Sequence, residues 1–144
     1  MSTRSRIGIK DDRGITSVFC YFDGYPKGVG KTLLENYDTE TKVKALIAEG
    51  DMNSLGTSLE ECDFYKEGPE TEPYTIPDCE DVMEKYYQFC KWMDYSYLFE
   101  NGEWYFTREM IDPKSLTSGN LSDATLFPTE WELLKEELKN EQWL

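Results

Sequence analysis

The chain contains no histidine. Histidine is the usual general base near neutral pH, and catalytic serine or cysteine side chains most often depend on one. Carboxylates are abundant instead, but no acidic pair stands out as catalytic among so many. These observations argue against ordinary hydrolase chemistry. We therefore expect a protein that is not an enzyme and has no catalytic residue.

The chain also lacks metal-binding spacings and long apolar runs. Its four cysteines show no C-x-x-C spacing: Cys20, Cys62, Cys79 and Cys90. A structural zinc site would have to gather all four thiolates from distant positions. We recognise no signal peptide in the sequence, so we expect a soluble protein of the cytoplasm with reduced thiols, no metal and no cofactor.

Basic residues are scarce, at 15 against 29 acidic ones, and the net charge is -14. Residues 1–31 hold six basic and three acidic residues, whereas the remainder holds 9 basic and 26 acidic ones. Because phosphates are bound by lysine and arginine, the acidic body argues against direct binding of nucleic acid. It favours a partner protein with a basic surface, although acidic residues serve solubility alone more often.

Apolar and aromatic residues are frequent enough for a folded core. Hydrophobic residues make up 39% and aromatic residues 15% of the 144 residues. We expect a single domain over residues 1–144 that buries about two-thirds of its unfolded surface. Within it, residues 51–77 are rich in glycine, proline and acids, which predicts an acidic loop or insertion.

The strand signals predict two β-hairpins. Residues 6–10 and 15–22 are rich in β-branched and aromatic residues and are joined by the turn Asp11–Gly14. The second hairpin has Asn101–Gly102 at its centre, a pair that favours a type I′ turn because both residues tolerate positive φ.

The helix signals predict three or four helices. Apolar residues at helical spacing mark residues 29–37, 39–50 and 78–93, with Thr39 or Thr41 capping the second helix and Gly50 ending it. Thr129 and Glu132 form a capping box before a last helix. The predicted fold class is α+β, a small antiparallel sheet from two β-hairpins packed against three or four helices.

The glycine-rich loop before the first helix looks like a phosphate-binding P-loop. The spacing fails, because G-x-x-x-x-G-K-T requires glycine where Tyr25 stands. Nucleotide hydrolysis is therefore not expected, but free N–H groups at a helix N-terminus can still bind an anion. The alternative is that the glycines only allow tight packing. The candidate anion-binding residues are Arg4, Arg6, Asp23, Tyr25, Lys27, Gly28, Gly30, Lys31 and Thr32.

Aromatic residues are concentrated between positions 86 and 105. Such a run can stack nucleic-acid bases, but few basic residues accompany it here. We interpret these residues as core and core-boundary residues: Tyr86, Tyr87, Phe89, Trp92, Tyr95, Tyr97, Trp104 and Tyr105.

Several stretches resemble a family of small uncharacterised proteins of phages, prophages and mobile elements. The likeness is carried by TRS and IGI near the N-terminus, by YFDGYP and GVG in the glycine-rich loop, and by further matches up to SLG at residues 54–56. YLF and GEWY extend it at the second hairpin. The resemblance implies an accessory protein acting inside a bacterial host cell, with counter-defence as the expected role.

Taken together, these observations favour an interaction protein that docks its acidic surface on a basic, nucleic-acid-binding host protein. The residues expected to bind this partner are Glu60, Glu61, Asp63, Glu80, Asp81, Glu132, Glu136 and Glu137. The alternative is a nucleotide-binding sponge that sequesters a small phosphate-containing signal at Gly24–Thr32. No nucleic acid or membrane is expected as a partner, and a homodimer through the second hairpin stays open.

Overall fold

The strands form one mixed sheet with helices on both faces. The computed structural model describes residues 3–65, 72–90, 93–108 and 131–140. The strands are β1 (Ser5–Asp11), β2 (Gly14–Cys20), β3 (Met52–Ser54), β4 (Asp63–Phe64), β5 (Tyr74–Pro77), β6 (Tyr95–Glu100), β7 (Glu103–Arg108) and β8 (Glu132–Leu133). The helices are α1 (Lys31–Asn36), α2 (Glu40–Ala48), α3 (Val82–Phe89) and α4 (Leu134–Asn140). A π-helical turn, Pro26–Gly30, leads into α1.

Both predicted hairpins are present at the centre of the sheet. The strand order is β4-β3-β2-β1-β6-β7-β8, and β5 pairs with the first half of β2. The β1–β2 and β6–β7 pairs are antiparallel. Asn101 and Gly102 have φ of 52° and 81°, the positive values that a type I′ turn requires. The second turn is therefore confirmed.

The prediction of a small antiparallel sheet is wrong, although the α+β class holds. β1 pairs in parallel with β6, from Ser5 opposite Tyr95 onwards, and Cys20 pairs in parallel with Met52 of β3. These contacts join the two hairpins and extend them into an eight-stranded mixed sheet. Parallel pairing needs a long crossover connection, so no local pattern in the sequence reveals it.

The acidic stretch 51–77 contributes strands where a loop was expected. β3, β4, β5 and a 3₁₀ turn at Leu59–Glu61 all fall within it. Each of these strands has only two to four residues. Such lengths are too short to show the alternation that identifies a strand in sequence. Residues 66–71 of this stretch lie outside the described residues.

The ends of α2 follow their predicted signals. The Thr39 hydroxyl accepts a hydrogen bond from the Lys42 N–H at 3.2 Å, which is N-capping by Thr39 rather than Thr41. Gly50 follows the helix with φ of 92°, a conformation that glycine adopts without strain.

The last helix begins later than predicted. Glu132, the predicted partner in the capping box, lies in β8, and α4 begins at Leu134. Thr129 lies outside the described residues. Glu132 pairs with Phe106 of β7, and this contact with a neighbouring strand outweighs the local helix signal. The third helix, α3, also ends earlier than predicted, at Phe89.

Side chains of β1 alternate between two cores. Ile7 and Ile9 belong to the larger core, which includes apolar side chains of α1, α2 and α4. Gly8 faces α3, where the Tyr86 hydroxyl oxygen would lie 2.6 Å from an added Cβ atom. Glycine thus lets Tyr86 pack against the sheet, and the Tyr86 hydroxyl donates a hydrogen bond to the Tyr97 carbonyl at 3.0 Å. We call the side covered by α3 the α3 face.

Candidate functional site

The glycine-rich loop, Gly24–Thr32, directs most of its polar groups inward. The N–H of Val29 donates to the Asp23 carbonyl at 2.8 Å, and the N–H of Gly28 donates to the Tyr25 carbonyl at 2.9 Å. The Gly30 N–H donates to the same Tyr25 carbonyl. The Thr32 hydroxyl donates to the Gly28 carbonyl at 3.1 Å. These donors are therefore already used, and the loop offers an anion fewer N–H groups than the sequence suggested.

The charged residues predicted to bind an anion do not meet at one place. Lys27 and Lys31 are exposed on the loop, while the Asp23 carboxylate lies 3.3 Å from the Tyr25 hydroxyl and raises the pKa of Tyr25. Gly24 and Gly30 pack on the side of the larger core, against Ser5, Tyr97 and Leu134.

Of the two arginines of the predicted anion site, Arg6 lies apart from this loop, whereas the backbone of Arg4 adjoins Gly24. Arg6 alternates with Ser5 and Ile7 along β1, so its side chain lies on the opposite α3 face. Arg4 is exposed, and its backbone N–H donates to the Asp94 carboxylate at 2.8 Å.

The acidic residues predicted to bind a partner are spread over the molecule. Glu60, Glu61 and Asp63 lie at the β4 edge of the sheet. Glu132, Glu136 and Glu137 lie on β8 and α4 at the other edge, roughly 29 Å away by six strand spacings of about 4.8 Å. Glu80 and Asp81 precede α3. These eight carboxylates therefore do not form one binding surface.

Several of these carboxylates also have partners within the protein. Glu61 accepts a hydrogen bond from the Thr57 hydroxyl, and Asp81 lies 3.6 Å from the Lys85 ammonium group. Glu137 lies 3.1 Å from the Arg108 guanidinium. Such surface pairs are weak, so they hold side chains in place without removing the negative charge of the region.

The feature that the sequence did not reveal is a strip of aromatic side chains around Arg6. The rings of Tyr74 and Phe89 lie 4.7 Å apart, and the Arg6 guanidinium lies 4.4 Å from the centre of the Phe89 ring. Phe19 is the cross-strand neighbour of Arg6. We call the following set the aromatic strip: Tyr74, Phe89, Arg6, Phe19, Tyr21 and Phe22.

The strip continues past the end of β2. The ring centres of Phe19 and Tyr21 are 6.1 Å apart, and those of Tyr21 and Phe22 are 4.7 Å apart. The four outer rings are exposed by 37% (Tyr21), 45% (Phe22), 47% (Tyr74) and 40% (Phe89). Contiguous exposure of large rings is unusual on a soluble monomer and marks an interaction surface.

Arg6 is held firmly inside the strip. Its Nε donates to the Ser17 hydroxyl at 2.8 Å, and Ser17 is only 1% exposed. Its guanidinium stacks on Phe89, an arrangement that is favourable at a protein surface. The Arg6 guanidinium is therefore held in one orientation at the surface and is not free to move with a flexible side chain.

Carboxylates border the strip. The Asp51 carboxylate accepts a hydrogen bond from the Phe19 N–H at 2.8 Å. Burial raises the pKa of Asp51, while this hydrogen bond and the Arg6 charge oppose the rise. Glu72 and Asp51 line the same open pocket of about 500 Å³ as Tyr74, Phe89 and Arg6. Asp63 lies near Tyr65, whose pKa is raised by burial first and by the Asp51 charge second.

The strip is not evident in the sequence because three separate segments build it: residues 6–22, β5 and α3. The sequence predicts Phe89 on the core face of a helix and Tyr74 in an acidic loop. The pairing of β5 with β2 sets Tyr74 opposite Ser17, and α3 brings the Phe89 ring to 4.7 Å from the Tyr74 ring and 4.4 Å from the Arg6 guanidinium. One local signal was present, since Phe19 and Tyr21 alternate onto the same side of an extended segment.

No metal centre is evident in the described part of the chain, and two of its four thiols are buried. No group of three or more histidine, cysteine, aspartate or glutamate side chains is placed there to hold a metal ion. All four cysteines are free thiols. Burial raises the pKa of Cys20 to about 12 and that of Cys90 to about 11, so both thiols are unreactive near neutral pH.

No helix among the described residues is long and apolar enough to span a bilayer. Comparison with protein-family models, with curated proteins and with solved structures finds no match to the chain.

Proposed function

We propose that the protein is a non-enzymatic binding protein that docks on a basic, nucleic-acid-binding protein and blocks its binding surface. The observation that carries this proposal is the aromatic strip, exposed next to carboxylates on the α3 face. The proposed partner fits the phage-type counter-defence role that the sequence resemblance implies, and we propose the cytoplasm of a bacterial host as its place of action.

The composition of the strip supports protein binding. Aromatic residues and arginine are enriched at the centres of protein interfaces, where they contribute most of the binding energy. The strip has five rings and one arginine, with ring contacts that fix their positions. Because little side-chain freedom remains to be lost, such a surface binds at low entropic cost.

The charge of the protein supports a basic partner over a second copy of the same chain. Each copy carries a net charge of -14, so two copies repel one another. A protein that binds nucleic acid has lysine and arginine along its groove, and the carboxylates beside the strip complement that charge. Electrostatic complementarity of this kind speeds association and selects the partner.

The structure also changes which acidic residues we expect to take part. Asp63 lies at the β4 edge near Tyr65, which is also within electrostatic reach of Asp51 and Tyr21. Glu60 and Glu61 lie in a turn whose neighbours Leu59 and Cys62 pack on the larger core, and Glu132, Glu136 and Glu137 lie at the other edge of the sheet. We therefore assign Asp63 to the interface with Asp51 and Glu72, and we expect the other carboxylates to act only through long-range attraction.

A pull-down from bacterial lysate at low and high salt tests the proposal. We expect the wild-type chain to capture a nucleic-acid-binding protein that is released by salt and displaced by added DNA or RNA. The double variant Tyr74→Ala/Phe89→Ala should lose this capture because both exposed anchors are gone. Tyr25→Ala is the matched control, since Tyr25 is exposed by 37% but belongs to the glycine-rich loop.

Two outcomes would contradict the proposal. Capture that survives the double variant would exclude the strip as the interface. Capture that DNA and RNA cannot displace would exclude a nucleic-acid-binding groove as the target. Circular dichroism of each variant confirms that the fold is intact before the result is interpreted.

A further inference from the structure

We infer that the pocket formed by Tyr74, Phe89, Asp51 and Glu72 receives an arginine side chain of the partner. This inference rests on the proposed function and names the chemistry of its central contact. The pocket is open to solvent and has a volume of about 500 Å³, ample for one guanidinium group and its alkyl chain.

The walls of the pocket match a planar cation. The Tyr74 and Phe89 rings are tilted by 33° and are each exposed by 40% or more, so ring surface is open to a ligand. The carboxylates of Asp51 and Glu72 line the same space. A guanidinium can stack on a ring while donating paired hydrogen bonds to a carboxylate, and this pocket supplies both groups.

The protein already stacks one guanidinium of its own on a ring of this pocket. Arg6 stacks on Phe89 at 4.4 Å, and its charge acts on Asp51. Its Nε is bound to Ser17 at 2.8 Å. Arg6 therefore occupies the Phe89 side of the pocket, and the exposed Tyr74 ring with Glu72 is left for a second cation.

The charge balance of the pocket favours a cation over an anion. Two carboxylates, Asp51 and Glu72, and one positive charge, that of Arg6, line the pocket, so negative charge is in excess. Lysine is a weaker candidate than arginine, because an ammonium group is strongly hydrated and cannot stack as a plane. The pocket thus selects arginine within a basic partner surface.

Two labelled peptides test this selectivity. They have equal length and equal net charge, and their basic residues are all arginine in one and all lysine in the other. We expect the wild-type chain to bind the arginine peptide about fivefold more tightly in a fluorescence-anisotropy titration at low salt. Tyr74→Ala and Glu72→Gln should each reduce this preference to nearly one.

The control variant is Glu132→Gln, which removes one negative charge at the far edge of the sheet. It should weaken both peptides equally and keep the preference. Thermal melting and circular dichroism show that each variant remains folded; Tyr74 and Glu72 are exposed, so folding should survive.

The outcomes separate this inference from the proposed function. Equal affinity of the wild-type chain for both peptides would overturn the arginine pocket while leaving a basic partner in place. Failure to bind either peptide at low salt would overturn both the arginine pocket and the proposed basic partner. A concentration-dependent dimer that disappears in Tyr74→Ala would assign the pocket to a second copy of the chain and would also overturn the inference.

Discussion

Gly8 is a point at which a side chain of α3 packs directly on the backbone of β1. An added Cβ atom would lie 2.6 Å from the Tyr86 hydroxyl oxygen and 2.9 Å from the ring carbon that carries it. Tyr86 is fully buried and its hydroxyl is bonded to the Tyr97 carbonyl, so the ring has little room to move. Sequence alone shows a glycine in a strand, but only the packing of α3 explains it.

Substitution of Gly8 tests this close approach. Gly8→Ala should reduce the free energy of unfolding by about 1–3 kcal/mol, because the buried ring must shift or the strand must bend. Denaturant titration measures the loss. Tyr86→Phe removes the nearest atom, so the double variant should cost less than the sum of the two single variants. Fully additive losses would show that the contact is not the cause.

Asp51 is destabilising in its charged form. Burial raises its pKa above the usual value of 3.8 despite the Phe19 hydrogen bond and the Arg6 charge. A raised pKa means that the folded state binds the proton more tightly than the unfolded chain does. Ionisation of Asp51 therefore lowers stability as pH rises through its folded pKa, and this cost is fully present near neutral pH.

The Asp51→Asn variant tests whether ionisation of Asp51 lowers the stability of the fold. The amide oxygen can still accept the Phe19 N–H, so the melting temperature at pH 7 should exceed that of the wild type. The difference should shrink as the pH falls through the raised pKa of Asp51 and should no longer change below about 4, where the carboxyl is protonated in both the folded and the unfolded chain. The same variant should bind the arginine peptide less tightly, which is the trade-off expected of a binding residue. A melting temperature below that of the wild type at pH 7 would contradict the assignment.

At the scale of elements, the π-helical turn Pro26–Gly30 shows why a glycine-rich loop need not bind phosphate. It begins at a proline, which has no N–H, and the following N–H groups bond to Asp23 and Tyr25. The Tyr97 hydroxyl also donates to the Gly24 carbonyl at 2.6 Å and ties the loop to β6. The glycines serve close packing, which was the alternative interpretation of the motif.

We accordingly expect no nucleoside mono-, di- or triphosphate to raise the melting temperature by more than about 1 °C, because a ligand stabilises only the state that it binds. A dye-based thermal-shift panel is the measurement. A larger shift that is lost in Lys27→Ala/Lys31→Ala would restore the nucleotide-binding alternative and would place it on this loop.

In the segment 131–140, tertiary structure separates residues that helical spacing alone would place on the same face. Their helical spacing predicts that Trp131, Leu134 and Leu138 lie on one face of a single helix. In the structure Trp131 stacks on Tyr86 at 5.6 Å on the α3 face, whereas Leu134 is buried in the larger core. Trp131 and Leu134 therefore pack on opposite faces of the sheet. They can do so because β8, the two-residue strand between them, pairs with β7 at the edge of the sheet.

At the scale of the whole molecule, the net charge of -14 opposes the compact state through self-repulsion. Added NaCl, up to about 0.5 M, should raise the melting temperature by screening this repulsion. The double variant Glu132→Gln/Glu136→Gln carries two fewer negative charges and should show a smaller rise. A melting temperature that does not change with salt would contradict this role of the charge.

Salt should act in the opposite direction on binding. The same screening that stabilises the free protein weakens its attraction to a basic partner. Added salt should therefore raise the melting temperature and, over the same range, reduce the amount of partner captured.

The sequence by itself determined the parts of this protein that depend on neighbouring residues. The two hairpins, the Asn101–Gly102 turn and the Thr39 cap each follow from residues within a few positions, because turns and caps form by local hydrogen bonds. The net charge and the lack of histidine are equally fixed by composition.

Tertiary structure alone decided the rest. The parallel pairing of β1 with β6 joins the two hairpins, and the pairing of β5 with β2 places Tyr74 beside Phe89 and Arg6. Both pairings connect segments far apart in the chain, and they are selected by burial of the sheet faces rather than by any local preference. The candidate site is a product of those contacts between distant segments, so the alternation of Phe19 and Tyr21 is the only part of it that the order of residues indicates.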